Sequence, residues 1–487
     1  MRSIAPVPLL GCWAVKRVRE DALTLYSDSM ANENILRRAS YGPKSPVVGK
    51  RGARTRQQIV DVALDLFATH GFHGTSVDGI ARNAGISRAT LYQYFESKDQ
   101  IFIELLDECG SALMRVVRRL GPLGPTPEGF DNLHWWLGEW AWVYDKYATM
   151  FAQWTQVDSP QTAVRPLVAG FVDAYAERIA RRLQSSGVEG LDLRHAAVAL
   201  VFVVNRFNDF RHMGLRSDQS DQEMLDSLAV IIQLMLFPDT PARVFTGHEL
   251  RTSEATLPAL SEVTADTPAP DRFEHLSPRA RRTVRQLMEA ACHAFAEHGY
   301  YGAKIDDVIK EAGVARGTFY KYFDDKLDLL RAVAEEARTG LTATILRFAE
   351  IQPGPQCPEQ LRTWLREYMP VRDRYLAVIR VWSDGQVDDP AVQSIRRQSR
   401  KVVRAAFGSV VKGVEHPYPF NLDVAALVFN AVMDRVPAAL TDRTPALSED
   451  EVIETVAAFI ERGLLNGRPL GLFRGDQPDS AVAAGPA

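Results

Sequence analysis

Cysteine is scarce and unpatterned in this sequence. Cys12, Cys109, Cys292 and Cys357 are the four in 487 residues, and none stands at the paired spacing of a disulfide framework or a zinc site. Such usage fits a reducing cytoplasm. No apolar run approaches the ~20 residues of a membrane-spanning helix, so no membrane partner is expected. Before Leu9-Leu10-Gly11-Cys12 there is only a short apolar stretch broken by proline. A secretory signal has a core of ~7–15 apolar residues, so residues 1–49 are expected to form a flexible leader. The His-Glu-x-x-His and Glu-x-x-His spacings of helical metalloenzymes are missing, and no catalytic residue, metal or cofactor is expected. Period-two alternation is missing too, which leaves an all-α fold class. A net charge of −4 and a pI near 6.2 argue against a protein that coats nucleic acid indiscriminately, but they allow a local basic patch.

What the sequence does contain is one phrase written twice. SRATLYQYF at 87–95 returns as ARGTFYKYF at 315–323, an offset of 228. The same offset aligns Phe67 with Phe295, Gly71 with Gly299, Gly85 with Gly313, Lys98 with Lys326, Trp136 with Trp364 and Trp154 with Trp382. Matches that span almost the whole unit indicate duplication of a domain large enough to close its own core, not a short solenoid repeat. Between the copies, residues 238–276 are rich in proline, threonine and alternating charge and read as a linker; 471–487 reads as a flexible tail.

Each copy has helical periodicity, as at Ile59, Val62, Ala63, Leu66 and Phe67. Thr75 or Ser76 is placed to cap a short helix that ends near Gly85, and Ser87 to cap a second from Arg88 to Tyr94. Two short helices about a glycine turn form a helix-turn-helix, whose second helix enters the DNA major groove. The run FATHGFHGTSV with GIARNAGISRATLYQYFESK, and FAEHGYYGAKI with DVIKEAGVARGTFYKYFDDK, resembles the DNA-binding domain of the TetR/AcrR family of transcriptional regulators.

The resemblance implies three-helix DNA-binding domains at 50–112 and 277–340, followed by helical ligand-binding and dimerisation domains at 113–237 and 341–470. It implies double-stranded operator DNA as the partner. The residues expected at DNA are Arg54, Thr75, Ser76, Ser87, Arg88, Thr90, Tyr92, Gln93, Tyr94 and Lys98 in the first copy. In the second they are Arg282, Lys304, Arg316, Thr318, Tyr320, Lys321, Tyr322 and Lys326. Arg88 suits a guanine edge and Gln93 an adenine, while hydroxyls and ammonium groups suit phosphates. Basic residues that open both first helices (Lys50, Arg51, Arg54, Arg56; Arg279, Arg281, Arg282, Arg285) are expected to face phosphate as well. Ala303 and Ala315 replace Thr75 and Ser87, so the second copy is expected to lack hydroxyl caps worth ~1 kcal/mol each.

Trp140, Tyr144, Trp154, Asn205 and Asn430 are the candidates for a pocket that takes a small apolar or aromatic effector. The expected function is a ligand-responsive repressor, working as an intramolecular pseudodimer or a homodimer. The alternatives are a ligand-independent architectural DNA-binding protein and a helical small-molecule-binding enzyme.

Overall fold

A computed structural model describes residues 50–151, 164–215, 219–246, 255–264, 272–383, 387–415, 418–441, 447–465 and 468–469. The expected leader and tail, and Trp154, lie outside these residues. The protein is all-α; a two-residue antiparallel ladder, Val414–Glu415 with Arg468–Pro469, is the one extended pairing among the described residues. The first unit runs α1 (Lys50–Gly74), α2 (Val77–Asn83), α3 (Arg88–Tyr94), α4 (Lys98–Arg118), α5 (Pro127–Lys146), α6 (Val164–Ser185), α7 (Leu193–His212) and α8 (Asp221–Leu236). A short α9 (Leu260–Thr264) lies between the units. The second unit runs α10 (Pro278–Gly302), α11 (Ile305–Ala312), α12 (Arg316–Tyr320), α13 (Lys326–Phe348), α14 (Cys357–Arg374), α15 (Leu376–Ser383), α16 (Pro390–Val411), α17 (Leu422–Thr441) and α18 (Glu449–Leu464).

The helix starts follow side-chain chemistry. Ser76, Ser87, Ser97, Thr126, Asp192 and Ser220 each accept a backbone N–H in the first turn of the helix that follows, satisfying donors that no helix can pair internally. Gly71 and Gly299 take φ of 71° and 69°, which breaks each long first helix just before the loop to the second.

Helices α7 and α8 pack against α17 and α18, and their buried apolar residues form one core that continues across both units. The second DNA-binding module and α15 close a separate core. Trp382, the counterpart of Trp154, is buried there. Helix α17 departs from expectation: by length and composition it could cross a membrane, yet 72% of its apolar window is buried inside the protein.

The linker also differs from the flexible tether expected. Val244, Phe245 and Val263 are buried, with Phe245 set edge-on between Phe130 and Tyr418. Thr256 donates from its backbone N (2.6 Å) and hydroxyl (3.1 Å) to the buried Asp423 carboxylate, which also meets Arg404. These apolar anchors and one buried carboxylate are enough to dock a segment that has no periodicity of its own. Asp423→Ala is expected to cost about 2 kcal/mol, because it strands these donors, and to expose residues 255–264 to limited proteolysis. A cleavage rate equal to that of the parent would contradict the docking.

Candidate nucleic-acid interface

Each short second and third helix is held by a pair of inward-facing cations. Lys98 Nζ donates to the carbonyls of Phe72 (2.6 Å) and Thr75 (2.9 Å) and lies over the Phe72 ring. Burial lowers its pKa. Arg56 donates to the carbonyl of Tyr94 (2.9 Å), pairs with Glu104 and stacks on Phe95 at 4.1 Å. The first clasp fixes the loop into α2; the second fixes the end of α3 against α1 and α4.

With those ends pinned, α3 turns Leu91, Tyr94 and Phe95 inward and leaves Ser87, Arg88, Ala89, Tyr92 and Gln93 exposed. Arg88 lies 3.2 Å from Asp78 of α2 and is stacked over Tyr92 at 5.5 Å. A pair this exposed is screened by solvent and holds the guanidinium weakly, so it is easily surrendered to a base edge. Ser76 and Arg54 are exposed beside this face, and Thr90 is half-buried. Ala89 is a residue the sequence reading missed: its exposed methyl sits next to Arg88 and suits a thymine methyl.

The second module repeats the layout without the serine cap on its third helix. Ala315 makes no side-chain cap, and α12 spans 5 residues where α3 spans 7. Arg316 pairs with Asp306 at 2.9 Å and faces Tyr320, while Lys321 extends over Tyr322. Arg282, Lys304, Arg316, Tyr320 and Lys321 are exposed; Thr318 and Tyr322 are half-buried.

Several expected DNA contacts are turned inward instead. Thr75 is buried, its hydroxyl donating to the carbonyls of Leu66 and Gly71, which closes the chain after the Gly71 break. Lys98 serves the clasp, and Lys326 does the same work on the carbonyls of Tyr300 (2.7 Å) and Ala303 (2.9 Å). Tyr94 is 8% exposed and packs in the core. Arg56, one of the basic residues expected to face phosphate, is a buried structural cation.

Of the pocket candidates, Trp140 and Tyr144 are buried in an aromatic stack with Phe151, and Tyr144 donates to Asp209 at 3.1 Å. Burial and the Asp209 charge raise the Tyr144 pKa well above its ordinary value, so it remains a donor. Asn205 and Asn430 lie on α7 and α17, and the buried Oδ1 of Asn205 has no hydrogen-bond partner among the described residues. Among those residues no His/Cys/Asp/Glu group is arranged to hold a metal.

The two kinds of cation are separable by experiment. Lys98→Met is expected to lower stability by about 2 kcal/mol through two stranded carbonyls, with the salt dependence of DNA binding unchanged. Arg88→Ala is expected to leave the melting temperature in place and weaken specific binding by about 1–3 kcal/mol. Thermal melts and binding titrations against salt check both; a stable Lys98→Met variant with a shallower salt slope would reverse the assignment.

Residues 59–105 and 287–333 each match the family described as bacterial regulatory proteins, tetR family. MftR of Mycobacterium tuberculosis, named for transcriptional regulation of mycofactocin biosynthesis, is 52% identical over 59 residues, 12% of this chain and 30% of that protein. YdgC of Bacillus subtilis, an uncharacterized HTH-type transcriptional regulator, is 31% identical over 70 residues, 14% of this chain and 36% of its own length. IcaR of Staphylococcus aureus, named as the negative transcriptional regulator of the biofilm operon icaADBC, is 28% identical over 99 residues, 20% of this chain and 52% of its own. The chain thus spans about a third to a half of the length of these relatives. The region described for that family is thus present twice in this chain, on two modules of matching geometry.

Proposed function

We propose that the protein is a sequence-specific DNA-binding transcriptional regulator, a cytoplasmic repressor that answers to a small effector, and that its two units act as an intramolecular pseudodimer. The observation that carries the pairing is a set of contacts between positions 228 apart. The rings of His73 and Tyr301 lie 5.5 Å apart. Arg206 Nε is 2.6 Å from Asp434 Oδ2. A Cβ placed on Gly463 would fall 2.5 Å from Cγ of Met235. In a two-fold arrangement a residue meets its own counterpart only on the axis, so these contacts trace a pseudo-two-fold axis from the DNA-binding modules through the seam.

Each deeper pair is complementary because its members differ. Two copies of the first unit would oppose Arg206 to Arg206 and Met235 to Met235, a charge and a volume conflict. Two copies of the second would oppose Asp434 to Asp434. Pairing of unlike units is therefore favoured, and the docked linker supports pairing within one chain over a dimer of whole chains. The repressor reading is supported by the printed name of IcaR. The effector reading is supported by the aromatic stack around Trp140 and Tyr144, whose composition suits an apolar or aromatic molecule.

In solution the chain is expected to have the mass of one copy; a stable dimer mass would count against intramolecular pairing. Gly463→Val is expected to force α8 from α18 at a cost of about 1–3 kcal/mol and to weaken operator binding at least as much, because the module spacing is lost. Unchanged affinity in that variant would separate DNA binding from the seam. Since Gln93 faces Lys321 and Ser87 faces Ala315 at equivalent positions, selection from random DNA is expected to return an imperfect palindrome. A perfectly symmetric operator would contradict unequal readout.

A further inference from the structure

The seam holds more positive charge than its carboxylates neutralise. Arg206 takes both nearby acids: its Nη1 meets Asp209 within its own helix, and its Nε meets Asp434. Arg435 adds a further guanidinium 3.9 Å from Asp434. Two more arginines, Arg396 and Arg400, one turn apart on α16, sit against the same group without an acid of their own. Among the described residues no carboxylate oxygen lies within 4.0 Å of either. The buried Nε of Arg396 has no hydrogen-bond partner. Arg400 faces the Phe210 ring at 5.6 Å, on which Arg206 is also stacked, and its Nη2 reaches only the sulfur of Met213, at 4.0 Å.

This arrangement is unfavourable as it stands. Burial, then the charges of Arg396 and Arg206, bring the Arg400 pKa down to about 9, and Arg396 is lowered by burial and by Arg206 and Arg397. A guanidinium gains its full hydrogen bonding from planar anions, which it grips with two parallel N–H donors. Both side chains are only half-buried, so a solute has access to them. The first unit has nothing equivalent: at the 228-residue offset Val168 and Val172 occupy these places, and no Lys or Arg occurs from Pro166 through Ala176.

We propose that Arg396 and Arg400 form a binding site for the carboxylate of a small organic acid, one site per chain, with the apolar part of the acid against Met213. Because Met213 follows α7 of the first unit and both arginines belong to α16 of the second, the bound acid bridges the two units.

The test uses the full chain with octanoate and benzoate, their neutral amides, and inorganic phosphate, measured by calorimetry and thermal melting. Both acids are expected to bind at one per chain and at least ~10-fold more tightly than their amides, the difference a charge-assisted hydrogen bond supplies. Arg396→Met with Arg400→Met is expected to abolish that preference while melting at or above the parent temperature, because two half-buried charges without a carboxylate partner are removed. Equal affinity for acid and amide, retention of the preference in the double variant, or binding of phosphate alone would each overturn the site. So would a double variant that melts far below the parent, since the arginines would then be structural. Operator release is read separately: its effect on DNA rests on the regulator reading, and an acid that binds without releasing operator leaves the site standing while counting against effector control.

Discussion

The proposed pairing of the two units depends on a geometric constraint: parts related by a near two-fold axis must meet themselves along that axis. A homodimer has to solve this with identical residues, which excludes a charge or a bulky side chain opposite its own copy. Tandem duplication removes the restriction, because each axial position is then encoded twice. The chain uses that freedom at the buried pair Arg206–Asp434 and at the packed pair Met235–Gly463. The ion pair contributes little net stability after desolvation, but breaking it is costly, so its value is in choosing the partner. His73 and Tyr301, counterparts at the same offset, also meet, and under the proposed pairing the spacing of α3 and α12 would follow the packing of α7, α8, α17 and α18.

The DNA-binding modules show how a requirement outlives the residue that meets it. In the first module, Arg56 from α1 satisfies the carbonyl of Tyr94 and pairs with Glu104. Its positional counterpart in the second is Val284. There, Arg272, ahead of α10, donates to the carbonyl of Tyr322 at 2.9 Å and pairs with Asp328 at 2.6 Å, stacking on Phe273 and Phe323. Tyr322 is the counterpart of Tyr94, so the carbonyl is conserved in place while the guanidinium arrives from another part of the chain. An exposed carbonyl at the end of a short recognition helix needs a strong donor, and the aromatic floor beside it accepts a cation from either direction.

The helices, their caps and the duplication were legible in the sequence because they depend on local pattern: Ser87 before α3, Gly85 at the turn, Ser220 before α8. Direction was less legible. Thr75 and Lys98 have the chemistry of phosphate contacts, and nothing local says that two carbonyls left by the break at Gly71 will claim them. The linker looked unstructured because its anchors, Val244, Phe245, Leu257 and Val263, are spaced by no period; they pack because both units present a surface to them, Phe130 against Phe245 and Gly408 under Leu257 included. The surplus of arginine in the seam was invisible for a similar reason. Arg396 and Arg400 read as one polar face of a helix until α7 of the other unit is laid against it.

These asymmetries act in one direction. The first module has hydroxyl caps on both short helices and presents Arg88, Ala89 and Gln93 on a well-ended α3. The second lacks the Ser cap, has a shorter α12 and presents Gly317 and Lys321 where the first has Ala89 and Gln93. Glycine offers no methyl and lysine is a mobile point charge, so under the proposed function the first unit is the better suited to base readout and the second to phosphate attraction. The uncompensated arginines also belong to the second unit. On the proposed function, a chain whose copies have diverged in this way would divide the work that identical subunits must share: one unit would supply the larger part of sequence discrimination and the other charge, and the seam between them is where a single bound anion would alter the relation of the two.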